Sequence, residues 1–180
     1  MKRSLIVFAI LTATLGGAFL WQQKVQAQDV PLMTEAHIAK IRSNCVEAQS
    51  TLNQLHTSDA LLRVNQGQLY ELISTKLMAP FNARVALNKM DASKLLTASN
   101  NYDQELAAFR ANYKLYEEAM SRTLKINCLN EPVAFYDSVT ETRAKRKTVH
   151  SNVVNLSTDI QDYKAEFNAL EANTFKESAE

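Results

Sequence analysis

Glycine and proline are nearly missing from this chain of 180 residues, which has three of each. Gly16 and Gly17 fall near the N-terminus, so Gly67 is the only glycine of the remainder, and the prolines are Pro31, Pro80 and Pro132. Such sparse punctuation excludes a strand-and-turn architecture and calls for a few long elements. Cysteine is limited to Cys45 and Cys128 without a Cys-x-x-Cys, which argues against a redox-active pair. His37, His56 and His150 have no metal-type spacing with one another or with a cysteine. Helical proteins that do chemistry generally carry Glu-x-x-His pairs or a haem motif, and neither occurs. The sequence therefore assigns no catalytic residue, no cofactor and no metal ligand, and it implies no small-molecule substrate. It reads as a non-enzyme.

An excess of one charge is missing too. The 20 bases and 19 acids of the whole chain become 17 bases and 19 acids once Lys2, Arg3 and Lys24 are set aside with the N-terminal segment. A near-neutral domain is not an electrostatic binder of nucleic acid.

What is present begins with the N-terminus. Lys2 and Arg3 precede an uncharged run from Leu5 to Trp21, and Val25-Gln26-Ala27 follows as a small-residue cleavage site. This is the pattern of a secretory signal. The run also lies near the short limit of a membrane span, roughly 17–25 residues, so residues 1–27 read as a signal peptide or a signal anchor that enters the membrane through 5–21 if uncleaved. Either way the basic end stays inside and the rest faces out. The expected location is secreted or extracytoplasmic.

Residues 28–34 then read as a short linker, 35–173 as a bundle of three helices, and 174–180 as a frayed acidic tail. The first helix carries apolar residues at alternating steps of three and four: Ile38, Ile41, Cys45, Ala48, Leu52, Leu55, Leu62, Leu69 and Ile73, interrupted by Asp59 and Gln66. Pro80 either ends or kinks it. Leu77, Phe81 and Val85 hold i, i+4 spacing across that proline, which favours a kink with the stop near Asn88 and Lys89. Asp91 is a suitable N-cap for the second helix. Its core stripe is aromatic: Leu95, Tyr102, Leu106, Phe109, Tyr113, Tyr116 and Met120. Pro132 fits the first turn of the third helix, whose stripe is Phe135, Val139, Val149, Val153, Leu156, Ile160, Tyr163, Phe167 and Leu170, interrupted by Thr142 and Arg146. Short connections make consecutive helices antiparallel. At ~1.5 Å per residue, helices of about 35–45 residues are rods of roughly 55–65 Å. The expected fold is all-α, an elongated up-down-up three-helix bundle with coiled-coil-like packing. Asp59 could specify register or mark a wet place in the seam, and Gly67 could mark close helix approach or a weak joint.

Folding the chain at 88–91 and at 128–132 brings Cys128 near the level of residue 50, at the same end as Cys45. Two cysteines so placed in an exported chain predict a disulfide closing a loop of 83 positions (128 − 45). One charge cluster stands out: Arg143, Lys145, Arg146, Lys147 and His150. As a functional patch it would bind an anionic cell-surface polymer or lipid. As structure, the same fold sets it beside Glu117 and Glu118, which can pair with Arg143 and Arg146.

Asn44-Cys45, the run Thr51–Asn65, Gly67–Tyr70 and Ser74–Ala79 resemble a family of small uncharacterised exported helical proteins of candidate-phylum bacteria with reduced genomes. Cys128 and the Arg143-Ala-Lys-Arg146 region with Val149-His150 fall in the same pattern. The resemblance implies a bacterial envelope setting and no activity. The resulting expectation is a structural or protein-interaction module, exported or membrane-tethered, with an envelope protein or a second copy as partner.

Overall fold

The computed structural model describes residues 33–177, with side chains as far as residue 174. The expected signal or anchor (1–27) and most of the 28–34 linker lie outside the described residues, as does the end of the tail. Among the described residues the protein is a helical bundle of five α-helices and one π-helical segment, without strands. No helix among them is long and apolar enough to cross a membrane.

Thr34 opens α1 (Glu35–Ser43), its hydroxyl accepting from the His37 amide. The expected first helix is interrupted at Asn44, before α2 (Cys45–Leu72). The Ser43 hydroxyl and the Asn44 amide both donate to the Lys40 carbonyl at 3.0 Å, competing with the helical ladder. Pro80 does not end the helical run, which stops at Asn88 as expected. The turn before the proline widens into a π-helical segment (Ile73–Met78), and α3 (Ala79–Leu87) carries Pro80 as its second residue. The wider turn accommodates a residue that lacks an N–H and would crowd the carbonyl four positions back. Two tyrosine hydroxyls attend this segment: Tyr102 donates to the Tyr70 carbonyl at 3.0 Å, and Tyr163 approaches that of Met78 at 3.5 Å.

The π-turn changes which face is buried. Leu77 was expected inside and is 59% exposed, while Met78 takes the core position, followed by Asn82 and Val85. A turn with more residues carries a strict i, i+4 seam off its face.

α3 ends at Asn88, and Lys89 follows with φ 59°. The Lys89 amide bonds to the Ala86 carbonyl at 3.0 Å and the Met90 amide to the Val85 carbonyl at 3.2 Å, the paired bonds of a Schellman cap. The N-cap of α4 (Ser93–Lys125) is Ala92 rather than the expected Asp91, which stands one residue earlier, its carboxylate accepting from the Ser93 amide at 2.9 Å. The Asn127 side chain holds the turn after α4 by accepting from the Leu129 and Asn130 amides, and Pro132 starts α5. That helix (Pro132–Glu177) runs past residue 173, where the bundle was expected to end.

α4 runs antiparallel to α2 and to α5. Gln49 reaches the Ile126 carbonyl and Ser74 reaches Asp103 on one side; Thr123 meets Thr142 and Asn112 meets Asn152 on the other. The Cys45–Cys128 disulfide, with Cα atoms 5.6 Å apart, joins the start of α2 to the turn after α4, as predicted. The apolar core is divided. One cluster gathers Tyr70, Met78, Val85, Leu95, Tyr102, Leu106, Phe109, Leu156 and Tyr163, and the other surrounds the disulfide with Phe135, Ile41, Leu52 and Val139. Between them the buried Ala119, Met120 and Tyr116 of α4 stand beside the polar Asp59, Thr123 and Thr142.

Candidate functional site

A helix seam that admits an aspartate and a facing seam that admits an arginine can satisfy each other. Asp59 of α2 is buried, and its carboxylate accepts from Arg146 of α5 through Nε at 2.7 Å and Nη2 at 2.9 Å. Tyr116 of α4 donates its hydroxyl to the same carboxylate at 2.6 Å. One residue from each of α2, α4 and α5 thus meets at a single point. Burial raises the Asp59 pKa, but the hydrogen bonds from Arg146 and Tyr116 and the guanidinium charge outweigh it and hold the carboxyl below its ordinary range. The bond to Asp59 likewise raises Arg146, while burial keeps the Tyr116 hydroxyl protonated far above its ordinary range. With three donors on it, this carboxylate is a structural anion. Its geometry is that of a register lock.

Around the lock lies a polar surround. His56 Nε2 is 2.5 Å from Glu117 Oε1, and the Tyr113 hydroxyl donates to the other oxygen of Glu117 at 3.4 Å. Burial, then the Glu117 carboxylate, push the Tyr113 hydroxyl up to about 12. Further toward the disulfide, the Thr123 hydroxyl lies within hydrogen-bond reach of the Thr142 and Ser138 hydroxyls. Thr142, which looked like an interruption of the third seam, is therefore a buried partner.

These contacts correct the ion pairing expected from the sequence. Arg146 binds Asp59 rather than Glu117 or Glu118, and Glu117 is taken by His56. Arg143 has no acidic partner among the described residues. Lys145 pairs along its own helix with Glu141 at 3.4 Å, and Arg122 of α4 reaches the same carboxylate at 3.3 Å. The expected anion-binding set is thus divided: Arg146 turns inward and Lys145 is shared with Glu141. Arg143, Lys147 and His150 stand exposed at i, i+4 and i+7, on one face of α5.

Beside the lock, α2 and α5 separate. No Cα of α2 lies within 8 Å of a Cα of α5, although both pack along α4. The gap is a groove of about 320 Å³. Its floor is Phe109, Tyr113 and Tyr116 of α4; Leu62, Gln66 and Tyr70 form one wall, and Val149, His150 and Val153 the other. The Asp59–Arg146 pair closes one end. Arg63 lies over the Tyr113 ring at 5.6 Å from its centre.

Gly67 adjoins this guanidinium. A methyl group added there would meet Arg63 Nη1 at 3.7 Å and nothing closer, an ordinary contact. Close approach of another helix is not the reason for this glycine. Leu62 and Leu69, both expected on the inner seam, are exposed, because the side chains of this stretch that reach α4 are Asp59 and Tyr70.

The groove and Arg63 were not read from the sequence. The available signal was the pair of interrupted seams, with Asp59 and Gln66 on one helix and Arg146 on another. No cluster of three or more His, Cys, Asp or Glu side chains able to hold a metal occurs among the described residues. Comparison with protein-family models, curated proteins and solved structures found no match.

Proposed function

We propose that this chain is a non-catalytic helical protein of the bacterial cell envelope that acts as a structural or protein-interaction module. It is exported by residues 1–27, or held to the membrane through 5–21, and it belongs with the small exported helical proteins it resembles. The scaffold in this reading is an elongated up-down-up arrangement of three rods, supported by the antiparallel pairing of α4 with α2 and with α5. The Cys45–Cys128 bridge supports an oxidising compartment.

One observation carries the interaction reading. From Ala48 to Leu72 the only charged residues are Asp59, Arg63 and Glu71, and each is engaged across the bundle, with Arg146, Tyr113 and Arg110 respectively. The outward face of α2 carries no charge in that stretch, yet presents Leu61 at 63% exposure and Leu72 at 52%, with Val64 and Leu69 also exposed. Exposed apolar area gathered on one uncharged face is the signature of a contact surface. The test is cross-linking and sedimentation of the full chain, in purified form and in envelope material, beside a Leu61→Asp, Leu72→Asp variant. The expected result is a discrete complex or self-association that the variant loses. Absence of association in the parent, or association indifferent to the substitutions, refutes the reading.

A second reading is adsorption to an anionic cell-surface polymer or lipid. The exposed alignment of Arg143, Lys147 and His150 favours it. Arg143→Gln with Lys147→Gln should then abolish adsorption to anionic vesicles. Unchanged adsorption sinks it.

A further inference from the structure

We propose that the groove between α2 and α5 binds a single-chain anionic amphiphile, its hydrocarbon chain lying on Phe109, Tyr113 and Tyr116 and its head group meeting Arg63. This goes beyond the interaction reading, which rests on the opposite face of α2.

The shape comes from the fold. α4 packs closely with both neighbours while α2 and α5 stay apart, so a trough opens whose floor is aromatic and whose far wall is valine. A volume of about 320 Å³ lies at the lower end of the ~300–1,000 Å³ typical of ligand clefts. That suits one chain rather than two. The apolar lining is ready-made hydrophobic burial, and it is not filled by the protein's own side chains.

The charge balance selects the head group. Asp59, the carboxylate that lines the groove, is paired with Arg146, and outside the lining Glu117 is paired with His56 and Glu71 with Arg110. Arg63 is the cation in this region without a carboxylate partner among the described residues, and its guanidinium is held at the groove by the Tyr113 ring. The bond to Asp59 commits Arg146, so the field at the opening is set by Arg63, with the His150 imidazole on the opposing wall. A carboxylate or phosphate head can accept from a guanidinium fork, while a cationic head would meet like charge.

The experiment is calorimetric titration of the full chain with dodecanoate below its micellar concentration, beside dodecanol. The expected result is one dodecanoate per chain. Arg63→Gln should weaken it about tenfold, equivalent to about 1.4 kcal/mol, and leave dodecanol binding unchanged. Val149→Trp, and separately Val153→Phe, should fill the groove and abolish both ligands while the far-ultraviolet helical signal persists. Arg143→Gln with Lys147→Gln should change nothing, which separates the groove from the exposed basic face. The proposal is overturned by absence of stoichiometric binding in the parent, by binding that survives a folded groove-filling variant, by dodecanoate affinity indifferent to Arg63→Gln, or by loss of binding on neutralising the basic face. If both filling variants lose their helical signal, the contrast between dodecanoate and dodecanol in Arg63→Gln decides.

Discussion

Replacing Arg146 with methionine tests the central lock. The substitution keeps an unbranched side chain of similar reach and removes both donors at 2.7 and 2.9 Å from Asp59. The two partners are unequally placed, with side-chain exposures of 10% for Asp59 and 48% for Arg146. Removing the exposed partner therefore strands the buried one, leaving an anion with the Tyr116 hydroxyl as its remaining donor. Breaking a fully buried pair in this way costs ~3–5 kcal/mol. Here one donor remains and the adjoining groove gives water some access, so we expect about 2–3 kcal/mol. That corresponds to a fall in melting temperature of roughly 5–10 °C for a domain of this size.

The pH dependence supplies a sign. In the parent the Asp59 carboxyl is held below its ordinary value, near ~3.9 when unfolded, so its contribution is present above that pH and is lost as pH falls through the depressed folded value. In Arg146→Met burial acts without its counter-ion and raises the folded value, so the variant recovers stability as pH falls. The gap between the two proteins should narrow from neutrality toward about pH 4. Urea unfolding followed by far-ultraviolet circular dichroism measures the gap at each pH. The double variant Asp59→Leu, Arg146→Met should recover most of the loss, since a well-packed apolar pair can replace an ion pair. A gap independent of pH, or a double variant as unstable as the single one, refutes the reasoning.

Other expectations concern the backbone, the bridge and the upper core. Gly67→Ala should stabilise the protein by about 0.5–1 kcal/mol, because it removes a glycine from mid-helix and the new methyl makes only an ordinary contact with Arg63; a lower unfolding midpoint in urea would count against the contact geometry. Lys89→Gly should also stabilise, by about 1 kcal/mol, since Lys89 holds φ 59° at a cap position that favours glycine; the same unfolding assay checks it. Removing the disulfide with Cys45→Ser and Cys128→Ser should cost up to about 4.5 kcal/mol by the chain-entropy relation for a sequence separation of 83. Equal stability of the oxidised and serine forms would contradict that account. Tyr163→Phe should cost about 1–2 kcal/mol, because Tyr163 donates to the buried Asn82 side chain at 2.8 Å and Asn82 in turn donates to Ser99. An unchanged melting temperature would show that this relay adds nothing.

Local chemistry made much of the architecture legible in advance. The near absence of Gly and Pro announces long helices, Asp91 and Pro132 mark helix starts, and the aromatic spacing of α4 marks a core face; each signal acts within one or two turns of the chain. The cysteine pairing was legible as well, because hairpin geometry constrains which distant positions share an end. The expected first helix was less legible at three places, and the break at Asn44 had no signal in the apolar seam. Pro80 announced a disturbance but not its form, because the π-turn before it is packed by side chains of other helices, Tyr102 and Tyr163 among them. Leu62 and Leu69 obey the seam spacing and are still exposed, because Asp59 and Tyr70 take the buried positions toward α4, which leaves Leu62 as a wall of the groove.

The sequence alone therefore settled the helical class, the helix starts near Asp91 and at Pro132 and one covalent link, all consequences of short-range backbone preference and simple chain reach. The tertiary structure alone decided the partner of each interrupted seam, the face that α2 leaves uncovered and the groove between α2 and α5. Those depend on the azimuth and separation of whole helices. Spacing along a single helix carries no record of how far away its neighbour stands.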